Sequence, residues 1–173
     1  MLARHLVVMT RFRSTGTNRL LVAAALAWPA LSDHWAGEPL PIGRFRSEPA
    51  GYTAYSGIDD SMRVVIADAT SWRLYWQRVH ARVSPVPPLP AVDFARDMVI
   101  LAALGTRRSG GYGVRVDSAY DAGEFVEVVV WRSAPGAGCL VTAAFTQPVD
   151  VVRIPSRKVP VRFRERATVE PCN

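Results

Sequence analysis

The chain has little of what most enzymatic chemistries require. Histidine occurs three times and cysteine twice in 173 residues. Of the histidines, His5 falls in the N-terminal stretch, His34 in an irregular stretch, and His80 at the edge of a helical stripe, where it reads as structural. No Cys-x-x-Cys or His-x₃-His spacing occurs, and two cysteines cannot build a structural zinc site. No G-x-S-x-G nucleophile elbow is present. A Walker-type phosphate loop also fails. Gly105 and Gly110 have its spacing, but Gly111 stands where the lysine belongs and Tyr112 where the hydroxyl belongs. That segment leads into a strand pattern, so no helix N-terminus would meet phosphates. The dinucleotide fingerprint fails likewise, since Gly111 and Gly113 are followed by Val116 on the same strand. No cofactor and no metal is expected, and no catalytic residue is assigned.

Acidic residues are absent from positions 1–32, which carry Arg4, Arg11, Arg13 and Arg19. The formal charge of +6 is therefore concentrated there, leaving 17 basic against 15 acidic residues in the remainder. The near-balance speaks against a nucleic-acid partner. The stretch 1–32 reads as a cleaved signal peptide. Its apolar run of 12 residues from Leu20 falls short of the roughly 20 that span a bilayer. Ala30–Ser32 offers small residues at a cleavage point, with Ala25–Ala27 as the alternative and Met9 as an alternative start. No twin arginine and no nearby cysteine point to another route, so general export is expected. The localisation is then periplasmic or secreted, with no membrane span after cleavage. An oxidising compartment would join Cys139 to Cys172. Closing that loop of about 30 residues is worth on the order of 3 kcal/mol.

The rest divides into a spacer or irregular arm over 33–52 and one domain over 53–173. The arm has scattered Pro and Gly and no period, with Trp35 and Phe45 as residues that can dock on the body. Met62–Ala67 is a strand candidate. Asp68 then reads as a helix N-cap, and Trp72, Tyr75, Trp76, Val79 and Val83 form one helical stripe, with Leu74 off it. The Pro-x-x-P segment Ser84–Val92 reads as a stiff connector. Asp97–Gly105 is a fully buried strand and Tyr112–Ser118 a half-buried one with period two. Phe125–Arg132 pairs back, with Val126, Val128 and Val130 on one face. "CLVTAAF" and "PVDVVRI" are further strand candidates. A last strand alternates Val161, Phe163 and Glu165 against Arg162, Arg164 and Arg166, a charged face that guards a sheet edge. The fold class is α+β: a single small domain, mostly antiparallel sheet, with one amphipathic helix packed on it.

Carboxylate pairs Asp59–Asp60 and Asp93/Asp97 read as loop acids and turn caps. The candidate binding segment is the Gly-rich loop Arg107, Arg108, Ser109, Gly110, Gly111 and Tyr112. There Gly110 and Gly111 supply positive-φ or close-packed backbone. Tyr112 opens the next strand on its apolar face, which leaves Arg107 and Arg108 at the tip.

"VDFARDMVILAALGTRRSGGYGVRV" (Val92–Val116) followed by "GCLVTAAFTQPVDVVRIP" (Gly138–Pro155) resembles the PrcB C-terminal-domain family. "YSGIDDSMRVVIADATSWRLYW" is similar to its upstream part, so the likeness covers Tyr55 to Cys172. Family members typically carry Thr-Gly-Gly-Tyr where this chain has Ser109-Gly110-Gly111-Tyr112. A histidine or aromatic that they commonly have near "PVDVV" is absent here. The resemblance implies a small exported protein with no catalytic residues, akin to a subunit that stabilises a bacterial surface protease. Three readings follow. The first is a non-enzymatic interaction domain with a protein partner, a protease among the options. The second is a peptidase inhibitor acting through the Gly-rich loop 105–113 and Tyr112. The third is a small anionic-ligand domain with Arg107 and Arg108 as a clamp, for which a concave pocket beside the loop is the sign.

Overall fold

The computed structural model describes residues 37–45 and 52–172. The export signal expected over 1–32 lies outside these residues, as does Trp35.

Ten elements follow in order: β1 (Glu38–Pro39), β2 (Gly43–Arg44), β3 (Tyr52–Thr53), β4 (Ser61–Ile66), α1 (Ala69–Val79), β5 (Asp97–Leu104), β6 (Gly113–Asp121), β7 (Val126–Pro135), β8 (Val149–Pro155) and β9 (Val161–Glu170). They build two sheets, one in the order β1-β6-β7-β9 and one in the order β2-β8-β5-β4, with β3 also on β8. All pairings are antiparallel except β7 with β9. The exception has a topological cause. The chain leaves β7, crosses to the other sheet as β8, and returns beside β7 as β9 running the same way.

The helix makes a third layer. β5 is continuously apolar because both of its faces are covered. Val99, Leu101 and Ala103 meet Trp72, Trp76 and Val79 of α1. Met98, Ile100, Ala102 and Leu104 meet Val114, Val116, Val126, Val128 and Val130 of the other sheet. β8 repeats this division, with Val149 and Val151 toward the helix and Val152 and Ile154 between the sheets.

Asp68 caps α1 as its position predicts, accepting from the Ser71 backbone N–H at 2.8 Å and the Ser71 hydroxyl at 2.7 Å. The helix stops at Val79, short of the stripe's last member Val83, which is exposed. The proline at 85 disfavours a helical residue before it. The proline-rich connector runs back along the helix. The indole N–H groups of Trp72 and Trp76 donate to the carbonyls of Pro90 and Pro87, each at 2.9 Å. Phe45 stacks on Trp72, and Trp76 meets both of these rings edge-on. Truncating one such ring costs roughly 3–5 kcal/mol.

Over its described residues the arm is tied to both sheets. β1 pairs with β6, β2 with β8, and Leu40 and Phe45 are buried. The docking of Phe45 is observed. The strand expected over "CLVTAAF" does not form; residues 139–145 belong to a loop. Their apolar side chains find no face to bury, and Leu140 and Phe145 point outward. Among the described residues no helix is long and apolar enough to cross a membrane.

Candidate interaction site

The loop after β5 (105–112) and the loop after β7 (136–148) interlock. Arg107 and Thr146 exchange backbone hydrogen bonds of 2.8 and 3.0 Å, and the Gly110 N–H donates to Thr142 O at 2.9 Å. The Thr146 hydroxyl donates to Ser109 O at 2.9 Å. Two glycines are required by this geometry. Gly105 has φ +73°, and a Cβ on it would lie 2.6 Å from Asp59 O. Gly111 has φ +82°, and a Cβ would lie 3.0 Å from Pro135 and Val141. Of the two roles expected for these glycines, Gly111 takes the positive φ, while Gly110 takes the close backbone approach, to Thr142.

The second loop is fastened at its base. Cys139 and Cys172 are disulfide-bonded, as the compartment argument anticipated, with Cα atoms 5.1 Å apart and 33 residues of separation. Gly136 N–H donates to Glu170 O at 2.9 Å. Above this base Leu140 is wholly exposed and Phe145 is 65% exposed. A cavity of about 450 Å³ runs from Gly111 past the disulfide to Glu170.

Arg107 and Arg108 separate. Arg108 is exposed at the tip. Arg107 folds back, its Nη2 donating to Leu104 O at 2.7 Å and its guanidinium lying 5.7 Å from the Tyr112 ring centre. Tyr112 is half-buried against the inter-sheet core. What the structure brings to Arg107 is Arg132, which with Tyr112, Ser133 and Thr168 lines a second cavity of about 180 Å³. Arg132 was not singled out in the sequence. Its signal is its phase, since the core-facing row Val126, Val128, Val130 continues onto it.

One buried carboxylate was also passed over. Asp150 lies between the sheets, where it accepts from Arg44 Nη1 at 3.0 and 2.9 Å and from the Val116 N–H at 2.7 Å. A β-bulge between Val116 and Ser118 frees that N–H from the strand ladder. Burial pushes the Asp150 pKa up, against the pull of Arg44 and the Val116 N–H.

His80, Asp59, Asp93 and Asp97 have structural partners. His80 Nδ1 is 3.0 Å from Trp76 O, and its ring packs on the Trp76 ring. Asp59 accepts from Thr106 and Arg82, Asp93 from the Ala95 N–H, and Asp97 pairs with Arg153. Among the described residues no three His, Cys, Asp or Glu side chains gather as a metal set. β9 is the edge strand it was read to be. Its Arg162 lies 4.0 Å from the Phe125 ring centre, and Arg164 pairs with Glu127.

Residues 98–155 match the family model PrcB C-terminal. The match supports the family resemblance read from the sequence. The matched PrcB C-terminal segment runs from β5 through β8. It therefore holds both interlocked loops, Arg132 and Asp150. No curated protein and no solved structure matches this chain.

Proposed function

We propose that this chain is an exported, non-enzymatic interaction domain that acts as an accessory to an envelope or surface protease complex. The PrcB C-terminal match supports the protease association, and the disulfide fits an oxidising, extracytoplasmic compartment. The signal read over 1–32 supplies the general export route. Of the groups considered for catalysis, His80, Asp59, Asp93 and Asp97 are engaged in caps, ion pairs and packing.

The observation that carries this reading is Leu140, fully exposed on a loop pinned by the disulfide and by the Gly-rich loop. Single exposed apolar residues are ordinary. Here Leu140 and Phe145 occupy one pre-ordered segment, which lowers the entropy lost on binding. Exposed Arg108 on the neighbouring loop supplies a polar rim. Tyr112 is half-buried, which weighs against the inhibitor reading in which it probes a peptidase cleft.

The test is site-specific photo-crosslinking in the native envelope, with the probe at position 140 or, as control, at exposed Leu74 on α1. A protease subunit captured at 140 and not at 74 is expected. Equal yields at the two positions, or none at 140, would refute the proposal.

A further inference from the structure

We propose that the free edge of β9 docks an extended acidic segment of a protein partner, which adds to the sheet as a further strand. The proposal rests on the reading of this chain as an interaction domain and gives it a second surface besides Leu140.

β9 ends the sheet β1-β6-β7-β9 and pairs with β7 along its whole length of ten residues, without a register shift. Two hydrogen bonds show which of its backbone groups are spent. Val126 N–H donates to Pro160 O and Gly136 N–H to Glu170 O, each at 2.9 Å. In a parallel ladder with Val126 opposite Val161, the even-numbered residues of β9 then turn their N–H and C=O groups to β7. Val161, Phe163, Glu165, Ala167 and Val169 turn theirs the other way, where no strand of the described residues pairs.

Sheet edges are usually blunted by short strands, proline or bulges, or guarded by charge. β1, at the opposite end of this sheet, has two residues. β9 has ten, with no proline and no bulge. What guards it is charge of one sign. Val161 and Phe163 pack toward the core, so Arg162, Arg164 and Arg166 stand on the open face. From β7 one carboxylate answers them there, Glu127, which accepts from Arg164 at 3.1 Å. A guanidinium has donors enough for a second acceptor.

This row decides the occupant. Directly opposite residues of paired strands share a face, and like charges in that position repel. Antiparallel pairing of β9 with a second copy would set arginine against arginine. The chain's own stretch 1–32, with four arginines and no acid, is repelled as well. A strand with acids on the open face is attracted, so the charges that reject some strands select another. On the core side, Glu165 is an inward charge that is already answered. It accepts from Arg63 at 2.8 and 3.0 Å and lies 2.9 Å from Arg132 Nε. Half-buried Val161 and Phe163 offer an apolar flank on that side. The segment that fits therefore alternates acidic and apolar residues, bound through main-chain hydrogen bonds. Glu170, the last residue of β9, borders the cavity that Leu140 also lines, so one partner can engage both surfaces.

The experiment titrates the full disulfide-bonded chain with end-blocked peptides of the strand's length and follows backbone amides by NMR. The probes are an alternating Glu-Val peptide, an alternating Lys-Val peptide, and the Glu-Val peptide with every amide N-methylated. Saturable binding of the Glu-Val peptide is expected, with slowed hydrogen exchange at Phe163, Glu165 and Ala167 and no change at Arg162 and Arg164. The other two peptides should bind at least about tenfold more weakly. Ala167→Pro removes an outward N–H and keeps the ladder to β7, so it should weaken binding about tenfold with the β7 amides unchanged. Replacing Arg162 and Arg164 together by glutamine should weaken it through charge alone, which keeps the test open if the proline variant fails to fold. No saturable binding of the Glu-Val peptide, equal binding of the Lys-Val peptide, or undiminished binding of the N-methylated one would overturn the proposal. Edge amides that shift with protein concentration alone would assign the edge to a second copy and overturn it too. Peptide binding is read without a protease and without Leu140, so failure here is distinguishable from failure of the crosslinking at position 140.

Discussion

Asp150 and Arg44, 106 residues apart, form a two-pronged ion pair that locks the arm onto both sheets. Arg44 sits on β2 at the edge of one sheet. Its Nη2 donates across to Val116 O of the other sheet at 2.8 Å, while Asp150 takes the N–H of the same residue. The pair thus satisfies both backbone groups of Val116 at the bulge.

Removing Arg44 leaves a carboxylate between the sheets with backbone donors alone, the N–H groups of Val116 and Val151. Arg44→Met should cost about 3 kcal/mol near neutral pH, as a buried charge loses its partner. The pH dependence follows from the direction of the shift. Burial raises the folded-state pKa of Asp150 above 3.8, so the folded protein holds the proton more tightly. This group's contribution to stability is greatest at low pH and falls as pH rises from 3.8 through the folded value. Arg44→Met raises that value further, so its deficit should shrink toward pH 4. Urea unfolding at pH 7 and pH 4.5 measures both, and an equal deficit at the two pH values would contradict the assignment.

The glycines of the interlocked loops should rank by geometry. Gly105→Ala places a Cβ 2.6 Å from a backbone oxygen at positive φ and should cost roughly 3 kcal/mol or more. Gly111→Ala meets side chains at 3.0 Å, also at positive φ, and should cost about 1–2 kcal/mol. Gly110→Ala finds its nearest neighbour at 3.4 Å and should stay within about 0.5 kcal/mol. Chemical denaturation of the three variants gives the order. A Gly110→Ala loss as large as that of Gly105→Ala would show that the loop geometry is misassigned.

The elements that pack on two or more neighbours were legible in the sequence. β5 announces itself because both faces are buried, and α1 because its cap and its tryptophan stripe agree. The tie of the arm was not legible. β1, β2 and β3 are two residues each, and their pairing is chosen by partners more than 70 positions away. "CLVTAAF" has strand composition, but both sides of β7, the strand it follows, are taken by β6 and β9. At the candidate site, the Gly-rich loop could be marked from its residues. The partner it brings to Arg107 could not, because Arg132 comes from a separate hairpin. Its one trace is an arginine standing in the phase of Val126, Val128 and Val130. Asp150 left the same kind of trace, as a single acid inside the apolar run "PVDVV".

Asp68 and Asp121 should show the opposite pH behaviour to Asp150. The Ser71 N–H and hydroxyl hold the Asp68 pKa below 3.8, and the Arg157 guanidinium and Gly123 N–H do the same for Asp121. Their contributions are present above 3.8 and are lost as pH falls through the lowered folded values. Asp68→Asn keeps a competent helix cap and has no proton to take up. The variant should therefore match the parent near pH 6 and lose less stability between pH 4 and pH 2. Thermal melts across that range test this, and parallel pH profiles for parent and variant would rule it out.

The disulfide should act on one loop and on the unfolded chain, with little effect on the sheets. Joining residues 33 positions apart restricts the unfolded ensemble by about 3–4 kcal/mol in the chain-entropy picture. Replacing both Cys139 and Cys172 by serine should cost about that much. The local effect is more diagnostic. Cys139 anchors the segment whose Thr142 carbonyl holds the Gly110 N–H, whereas Val128 lies deep in the inter-sheet core. In the double variant, hydrogen exchange at Gly110 should accelerate more than at Val128, where only global unfolding exposes the amide. Crosslinking from position 140 should fall in parallel, because a loosened loop loses the pre-ordering on which its binding rests. If Gly110 and Val128 accelerate by the same factor, the bond stabilises only through the unfolded state. The loop's rigidity would then have to come from the Arg107–Thr146 and Gly110–Thr142 hydrogen bonds alone.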